Sequence, residues 1–471
     1  MSAPTPEVAT RRNTELALLI FAVVIVVAAE GAVEGARNGR VSSHLVLYGS
    51  VPLAAGLIAH VVVRRVAAYA DPFLLPIVVL LNGLGLVMIH RLDLGLAQQA
   101  KEGIGDSAQA EAPTQMVWTA VGLALFLAII MIVRDHRVLR RYAYTLALVG
   151  LFLLVLPIVL PARFSEVNGA RIWIRVAGFS IQPGEFAKIL LTIFAASYLV
   201  DKRDVLSLAG RRVFGIDFPR GRDLGPLVAA WVICIGVLVG GHDLGTSLMF
   251  FGLFVVLLYI ATERFSWVIV GAVLFVAGAY ATYQLFGTVQ TRVSVWIDLF
   301  SAAHNDDGYQ LRQSLFGLGT GGLFGTGLGA GHPELVPLPA TDYIISSFGE
   351  ELGLFGLVAL LVIYVLFIAR GFAAALAVRD SFGKLLAAGL SFLIGLQLFV
   401  VVAGVSRLLP ETGLTTPFLS YGGSSLIANY ALLALLLRVS DSARRPGATS
   451  RPATADADVQ TPSETTAVIG S

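Results

Sequence analysis

Cysteine is almost absent from this chain. One residue in 471, Cys234, is a cysteine, which excludes an intrachain disulfide framework and any zinc site built on thiolates. Charge is also scarce. Asp, Glu, Lys and Arg make up 14% of the residues, against about 25% in soluble domains. That is too little to coat a water-soluble protein of this size, so a soluble enzyme is excluded. A net charge of +2 offers no electrostatic footprint for nucleic acid. No cleavable secretory leader is evident either: Arg11 and Arg12 precede an apolar run, but no small-residue cleavage site and soluble mature region follow.

What abounds is apolar surface and glycine. Hydrophobic residues make up 56% of the chain, 49 residues are Gly, and the mean hydropathy is +0.80. Spanning a hydrocarbon core takes about 20 apolar residues per helix. On that measure twelve spans are expected: 15–30, 44–63, 72–90, 113–133, 142–162, 183–200, 224–241, 243–262, 265–287, 343–369, 382–406 and 418–437. The expected fold is therefore an all-α polytopic membrane protein with a large extracytoplasmic loop over 287–342. Glycine-rich spans suit close helix contacts in a bundle. With the N-terminus inside, 22 of the 33 Lys and Arg residues fall on the cytoplasmic side, and this bias places both termini there. Residues 1–14 and 439–471 read as disordered cytoplasmic tails around a single membrane domain, 15–438. No inverted or parallel repeat is visible, which counts against many transporter folds.

Polar residues concentrate in three outward segments. In 161–188, PARFSEVNGARIWIRVAGFSIQPGEFAK, Pro183 sits where a helix begins and Glu185 falls in its first turn. Glu185 and Lys188, three apart, share a face, either as an ion pair that fixes a helix end or as a functional pair. The second segment, 287–342, holds GLGTGGLFGTGLGAG (317–331). Without the strand context and the Lys-Ser/Thr of a phosphate loop, composition favours a flexible or re-entrant stretch. Asp342 closes the loop where the next span starts. It is either a helix cap or a carboxylate desolvated enough to gain strength as a base. Glu350 and Glu351 lie inside that span, where a charge costs about 2.5–3.5 kcal/mol. They need a polar cavity or a cationic partner, with Arg407 or Lys188 as candidates. The third segment, LPETGLTTPFLSYGGS (409–424), offers hydroxyls and close backbone approach, or a tight re-entrant turn. His242 and Asp243 are adjacent and point apart on a helix, so they alone do not form a metal site.

Five stretches, in order, resemble the SEDS family of bacterial cell-wall proteins, the RodA, FtsW and SpoVE group: 168–188, HDLGTS (242–247), 309–331, PLPATDYIISSFGEELG (337–353) and 409–424. The resemblance covers about 140–438. Two N-terminal spans exceed the family's usual ten, and together with the RRNTEL start they are most similar to the actinobacterial RodA branch. The resemblance implies a peptidoglycan glycosyltransferase that polymerises lipid II at the outer face of the cytoplasmic membrane. The family's essential loop aspartate falls on Asp342. Its QPSE-x-x-K motif falls on Gln182, Pro183, Glu185 and Lys188, with Gly184 in place of Ser. Its SYGGS run falls on Ser420, Tyr421, Gly422, Gly423 and Ser424. The His-Thr that often precedes the aspartate is Ala340-Thr341 here, so no role for that His carries over.

Polymerisation needs a base for the acceptor hydroxyl and positive charge for the departing pyrophosphate. Asp342 is the candidate base, or the residue that positions a divalent cation, Mg²⁺ or Mn²⁺. Lys188, Arg171, Arg312 and Arg407 are candidate pyrophosphate partners. Gln313 and Ser314 are further substrate-binding candidates; Glu350, Glu351 and Asp243 are structural or cavity-lining ones. The resemblance also implies a class B penicillin-binding protein as transpeptidase partner, beside other elongation or division proteins, and no nucleic acid. The competing readings are a lipid II flippase, a scaffold for other wall proteins and an FtsW-type division paralogue.

Overall fold

A computed structural model describes residues 10–39, 44–103, 109–167, 170–176, 179–207, 211–213, 216–218, 236, 244–301, 304 and 306–446. Its long helices are α1 (Arg12–Asn38), α2 (His44–Val66), α3 (Leu74–Lys101), α4 (Ala112–Ile132), α5 (Ala143–Val159), α6 (Pro183–Ser207), α7 (Leu244–Thr262) and α8 (Ser266–Leu285). They continue as α9 (Gly287–Ile297), α10 (Tyr309–Gly321), α11 (Ile344–Ala377), α12 (Ser381–Val405) and α13 (Gly423–Arg444). Among the described residues 10 helices are long and apolar enough to cross a membrane, and α5 is a shorter apolar one. The expected span 224–241 lies outside the described residues. Helices that are apolar all round either fill a core or face lipid. Here α3, α6, α12 and α13 are largely buried, whereas α8 leaves Val273, Phe275, Val276, Tyr280 and Leu285 exposed.

Several expected boundaries move because buried charges have partners. The first span extends past Glu15 and Glu30, the residues expected to bound it, and both are fully buried. Glu15 meets Arg12 and the His60 ring, and Glu30 meets His90 at 2.7 Å. Helix α1 thus takes in Arg12, inside the expected N-tail. Helix α13 starts at Gly423 rather than 418 and runs on to Arg444, into the expected C-tail. That end is held by paired charge: Asp71 accepts from Arg370 and Arg444, and Asp441 accepts from the Tyr69 amide at 2.9 Å. Arg12 donates to the Ala70 carbonyl. The start of α1 and the end of α13 therefore meet on one side of the bundle, around residues 69–71.

The loop 287–342 is built rather than flexible. It folds into α9 and α10, and its glycine-rich run packs on α11, which breaks at Gly353 (φ 67°, ψ −172°). The break frees backbone groups that membrane helices must satisfy elsewhere. The Thr326 and Gly327 amides donate to the Glu350 and Glu351 carbonyls at 3.0 and 2.9 Å. The Leu354 and Phe355 amides donate to Gly322 and Leu323 at 2.9 and 3.1 Å. A Cβ at Gly353 would stand 2.2 Å from the Gly325 nitrogen, so the run is glycine-rich because two backbones touch.

Candidate active site

Asp342 lies just before α11, and the SYGGS run holds its loop in place. The Ser420 hydroxyl donates to the Thr341 carbonyl at 2.6 Å and accepts from the Thr416 amide at 2.8 Å. The Tyr421 amide donates to the Ala340 carbonyl at 2.8 Å. The 409–422 stretch loops back between α12 and α13 and carries Glu411 to face Asp342, with the Tyr343 hydroxyl and Arg292 beside them. Burial, and then the Glu411 charge, push the Asp342 carboxyl up to about 6, against the opposing pull of Arg292. Burial also raises Glu411, opposed by Tyr343 and Arg292.

Two cavities converge on these residues. One is an apolar groove of about 420 Å³ between α7, α8 and α9, lined by Leu248, Phe251, Leu274, Phe275 and Val293. The other is a polar cleft of about 420 Å³ lined by Thr288, Thr291, Trp296, Asp307 and Gln310. Arg292 and Glu411 line both. A small pocket containing Asp342 shares Val400, Glu411 and Thr412 with the groove. An oily channel and a wet cleft joined at a cation and a carboxylate, with Asp342 in the adjoining pocket, suit an amphiphile with an anionic linkage between tail and head. Asp342 and Glu411 are the carboxylates that could hold a hard divalent ion here; Asp307 lines the same cleft as Glu411 but, among the described residues, does not complete a cluster of three close enough to share one.

The QPGEFAK segment braces this loop from beneath. Lys188 and Glu185 are both buried and paired at 2.9 Å. Lys188 donates to Gln397 at 2.8 Å, and Gln397 donates to the Thr415 carbonyl at 2.7 Å. The Gln182 amide donates to the Ser424 hydroxyl at 2.8 Å. At Gly184, where the family pattern has Ser, a Cβ would meet neighbours only at ordinary distance, 3.8 Å. The outward segments 161–188 and 409–424 are thus joined by hydrogen bonds, and Ser420 ties the second of them to the end of the 287–342 loop.

Comparison with known proteins agrees with this arrangement. Residues 72–445 match the profile of the FtsW, RodA and SpoVE family, described as "Cell cycle protein". The chain belongs to the SEDS family. It is 54% identical over 444 residues to the peptidoglycan glycosyltransferase RodA of Mycobacterium bovis, covering 94% of this chain and 93% of that one. A chain from a solved peptidoglycan synthase complex, described as coordinating polymerization and crosslinking, superposes with a TM-score of 0.61. It is 27% identical, over 80% of this chain and 99% of that chain. The rod shape determining protein RodA of Thermus thermophilus gives 0.55 at 26% identity, over 79% and 96%.

In this SEDS protein the remaining candidates are placed as follows. Arg407, in a left-handed turn (φ 60°), donates to the Trp296 and Ile297 carbonyls at 2.9 and 2.7 Å. Arg312 donates to Leu299 and His304 carbonyls at 3.2 and 3.4 Å. The buried Ser314 receives the Ser346 hydroxyl on its carbonyl at 3.0 Å, and Gln313 is half-buried beside it. Arg407 thus ties α9 to the end of α12, and the Ser346–Ser314 bond ties α10 to α11. Arg171 sits on an exposed hairpin, 3.2 Å from Glu166. Tyr421 is half-buried against Thr114. The Gly422 amide faces Gln115 at 3.4 Å, and a Cβ at Gly423 would strike Trp118 at 2.5 Å. His242 and Asp243 lie outside the described residues.

Glu350 and Glu351 do not meet Arg407 or Lys188, the partners expected for them. Arg91 of α3, fully buried, binds Glu351, Glu334 and the Gly331 carbonyl. Glu350 accepts from the His332 amide at 2.6 Å. Burial alone would raise the Glu334 carboxyl, but Arg91 and Arg37 hold it below its ordinary value. Three residues were missed on sequence. Glu411 stood in a segment read only for its Pro, Gly and hydroxyl residues. Arg292 and Arg91 carry no motif, and folding alone brings them to their carboxylates.

Proposed function

We propose that this chain is a peptidoglycan glycosyltransferase of the RodA type, polymerising lipid II at the outer face of the cytoplasmic membrane. The observation that carries the reading is the junction of apolar groove and polar cleft at Arg292 and Glu411, with Asp342 against them. The polyprenyl tail lies in the groove and the sugars in the cleft. The pyrophosphate falls between them, beside Arg292. Asp342 takes the proton from the acceptor 4-hydroxyl as that oxygen attacks the donor's anomeric carbon and the bond to pyrophosphate breaks. A carboxyl near pH 6 is ionised at neutral pH yet more basic than an ordinary aspartate, as a general base requires. Asp342 and Glu411 would hold a Mg²⁺ or Mn²⁺ ion, which when bound supplies positive charge to the leaving group.

A class B penicillin-binding protein is the expected partner, as the family resemblance implies. The synthase complex that superposes on this chain supports that pairing. The high identity to a relative named RodA favours elongation over division. A flippase would need a path opening alternately to both faces, and a scaffold would tolerate changes at Asp342. One experiment separates the three. Protein purified in detergent, with no membrane to cross, forms glycan polymer from lipid II, and Asp342→Asn lowers the rate by about 10²–10⁴-fold with the same elution and melting behaviour. Absence of polymer from the unmodified protein, or an unimpaired Asp342→Asn protein, overturns the proposal.

A further inference from the structure

A second polar cluster lies away from this site, between α1 and α3. Glu30 and Glu34 are four apart, so they project from one face of α1, and both are fully buried. His90 of α3, 5% exposed, comes up against them. One ligand atom from each of the three lies within 4.8 Å of the others. His90 Nδ1 stands 2.7 Å from Glu30 Oε1, the Tyr48 ring stacks on the His90 ring at 4.1 Å, and Asn38 donates to Glu34 at 2.7 Å. The second oxygen of Glu30, Oε2, is buried with no hydrogen-bond partner. Among the described residues no Arg or Lys lies within ion-pair distance of Glu30.

We propose that Glu30, Glu34 and His90 bind a divalent transition-metal ion, zinc foremost, which fastens α1 to α3. Two carboxylates and one imidazole form a donor set suited to zinc. The ion displaces the proton shared between Glu30 and His90 and gives the orphaned Glu30 oxygen a partner. It also neutralises carboxylates that are costly inside a membrane bundle. Bonds of about 2.0 Å put tetrahedral ligands ~3.3 Å apart, which small rotamer adjustments of the present side chains achieve. Helix α1 precedes the region matched by the family profile, 72–445. The site would therefore anchor an element added to the SEDS core. Its neighbour Arg37 reaches the Gly331 carbonyl at 2.8 Å, so the anchor also steadies the loop that Arg91 holds.

The test uses full-length, tag-free protein in detergent, incubated with micromolar ZnCl₂ and desalted. Elemental analysis should find about one zinc per chain. Asp342→Asn should retain it, and the Glu30→Gln/Glu34→Gln protein should lose it. Chelation by EDTA should lower the melting temperature of the unmodified protein by about 3 °C and leave the double variant unchanged. X-ray absorption of the unmodified protein should show imidazole and oxygen ligands without sulfur, which decides the matter even where a variant fails to fold. Zinc absent from the unmodified protein, retained equally by the double variant, or lacking an imidazole ligand overturns the proposal.

Discussion

At the scale of single residues, the site turns on how protein environment tunes two carboxyls. As the proposed base, Asp342 has to be ionised to accept a proton, and burial with the Glu411 charge pushes it up to about 6. Because the ionised form is the active one, polymerisation holds above that value and falls tenfold per pH unit below it. The acid limb of kcat/KM on lipid II should therefore bend near pH 6, well above the range of an exposed aspartate. Glu411 is the second cause of that rise, after burial. Glu411→Gln removes a neighbouring negative charge, so Asp342 ionises more readily and the acid limb moves to lower pH. A limb that stays in place, or moves upward, would show that the two carboxyls do not sense each other. Position at a span's edge left Asp342 open between a helix cap and a base, and the family resemblance singled it out. Arg292 stayed hidden, because an arginine outside any motif carries no period and no partner until α9 forms.

At the scale of elements, the broken helix α11 and its glycine-rich companion behave as one unit. Composition suggested a flexible or re-entrant stretch at 317–331, since glycine is the residue that gains most from disorder. What composition cannot show is that the same lack of Cβ permits backbone contact, and here the partner backbone is 30 residues further on. Gly353→Ala puts a side chain at φ 67° and 2.2 Å from the Gly325 nitrogen, so it should destabilise by about 2 kcal/mol or more. A thermal melt that matches the unmodified protein would refute the close packing. Arg91 is the electrostatic counterpart. Replacing it with methionine keeps the volume but leaves Glu351 and Glu334 buried without their cation, a loss of about 3–5 kcal/mol. Arg91→Met together with Glu334→Gln and Glu351→Gln should recover part of that loss, which a purely steric defect would not. The span positions were legible because length and hydropathy alone decide them. Their ends were not, because Glu15, Glu30 and Arg444 are charges that only tertiary partners make tolerable inside a helix.

At the scale of the whole molecule, the decisive question is which side of the membrane holds Asp342. Charge counting set two-thirds of the Lys and Arg residues on the side of both termini, and the fold supplies an independent constraint. Arg12 at the head of α1 and Arg444 at the tail of α13 both reach the 70–71 turn, through Ala70 and Asp71. The two helix ends therefore share a face whatever the orientation. Chain direction then fixes the rest. Asp342 heads α11, whose far end carries Arg370, and Arg370 binds the same Asp71. The candidate site thus lies at the opposite end of α11 from the termini. On the proposed activity at the outer face, the arginine-rich face is expected to be the cytoplasmic one, in keeping with the positive-inside bias. With Cys234 replaced by alanine, single cysteines report this directly. Thr320→Cys, exposed on α10, should react with a membrane-impermeant maleimide in intact cells. Thr10→Cys, exposed just before α1, should react only after permeabilisation. The reverse pattern would put the acid, the cleft and the groove on the cytoplasmic side, where no glycan strand grows.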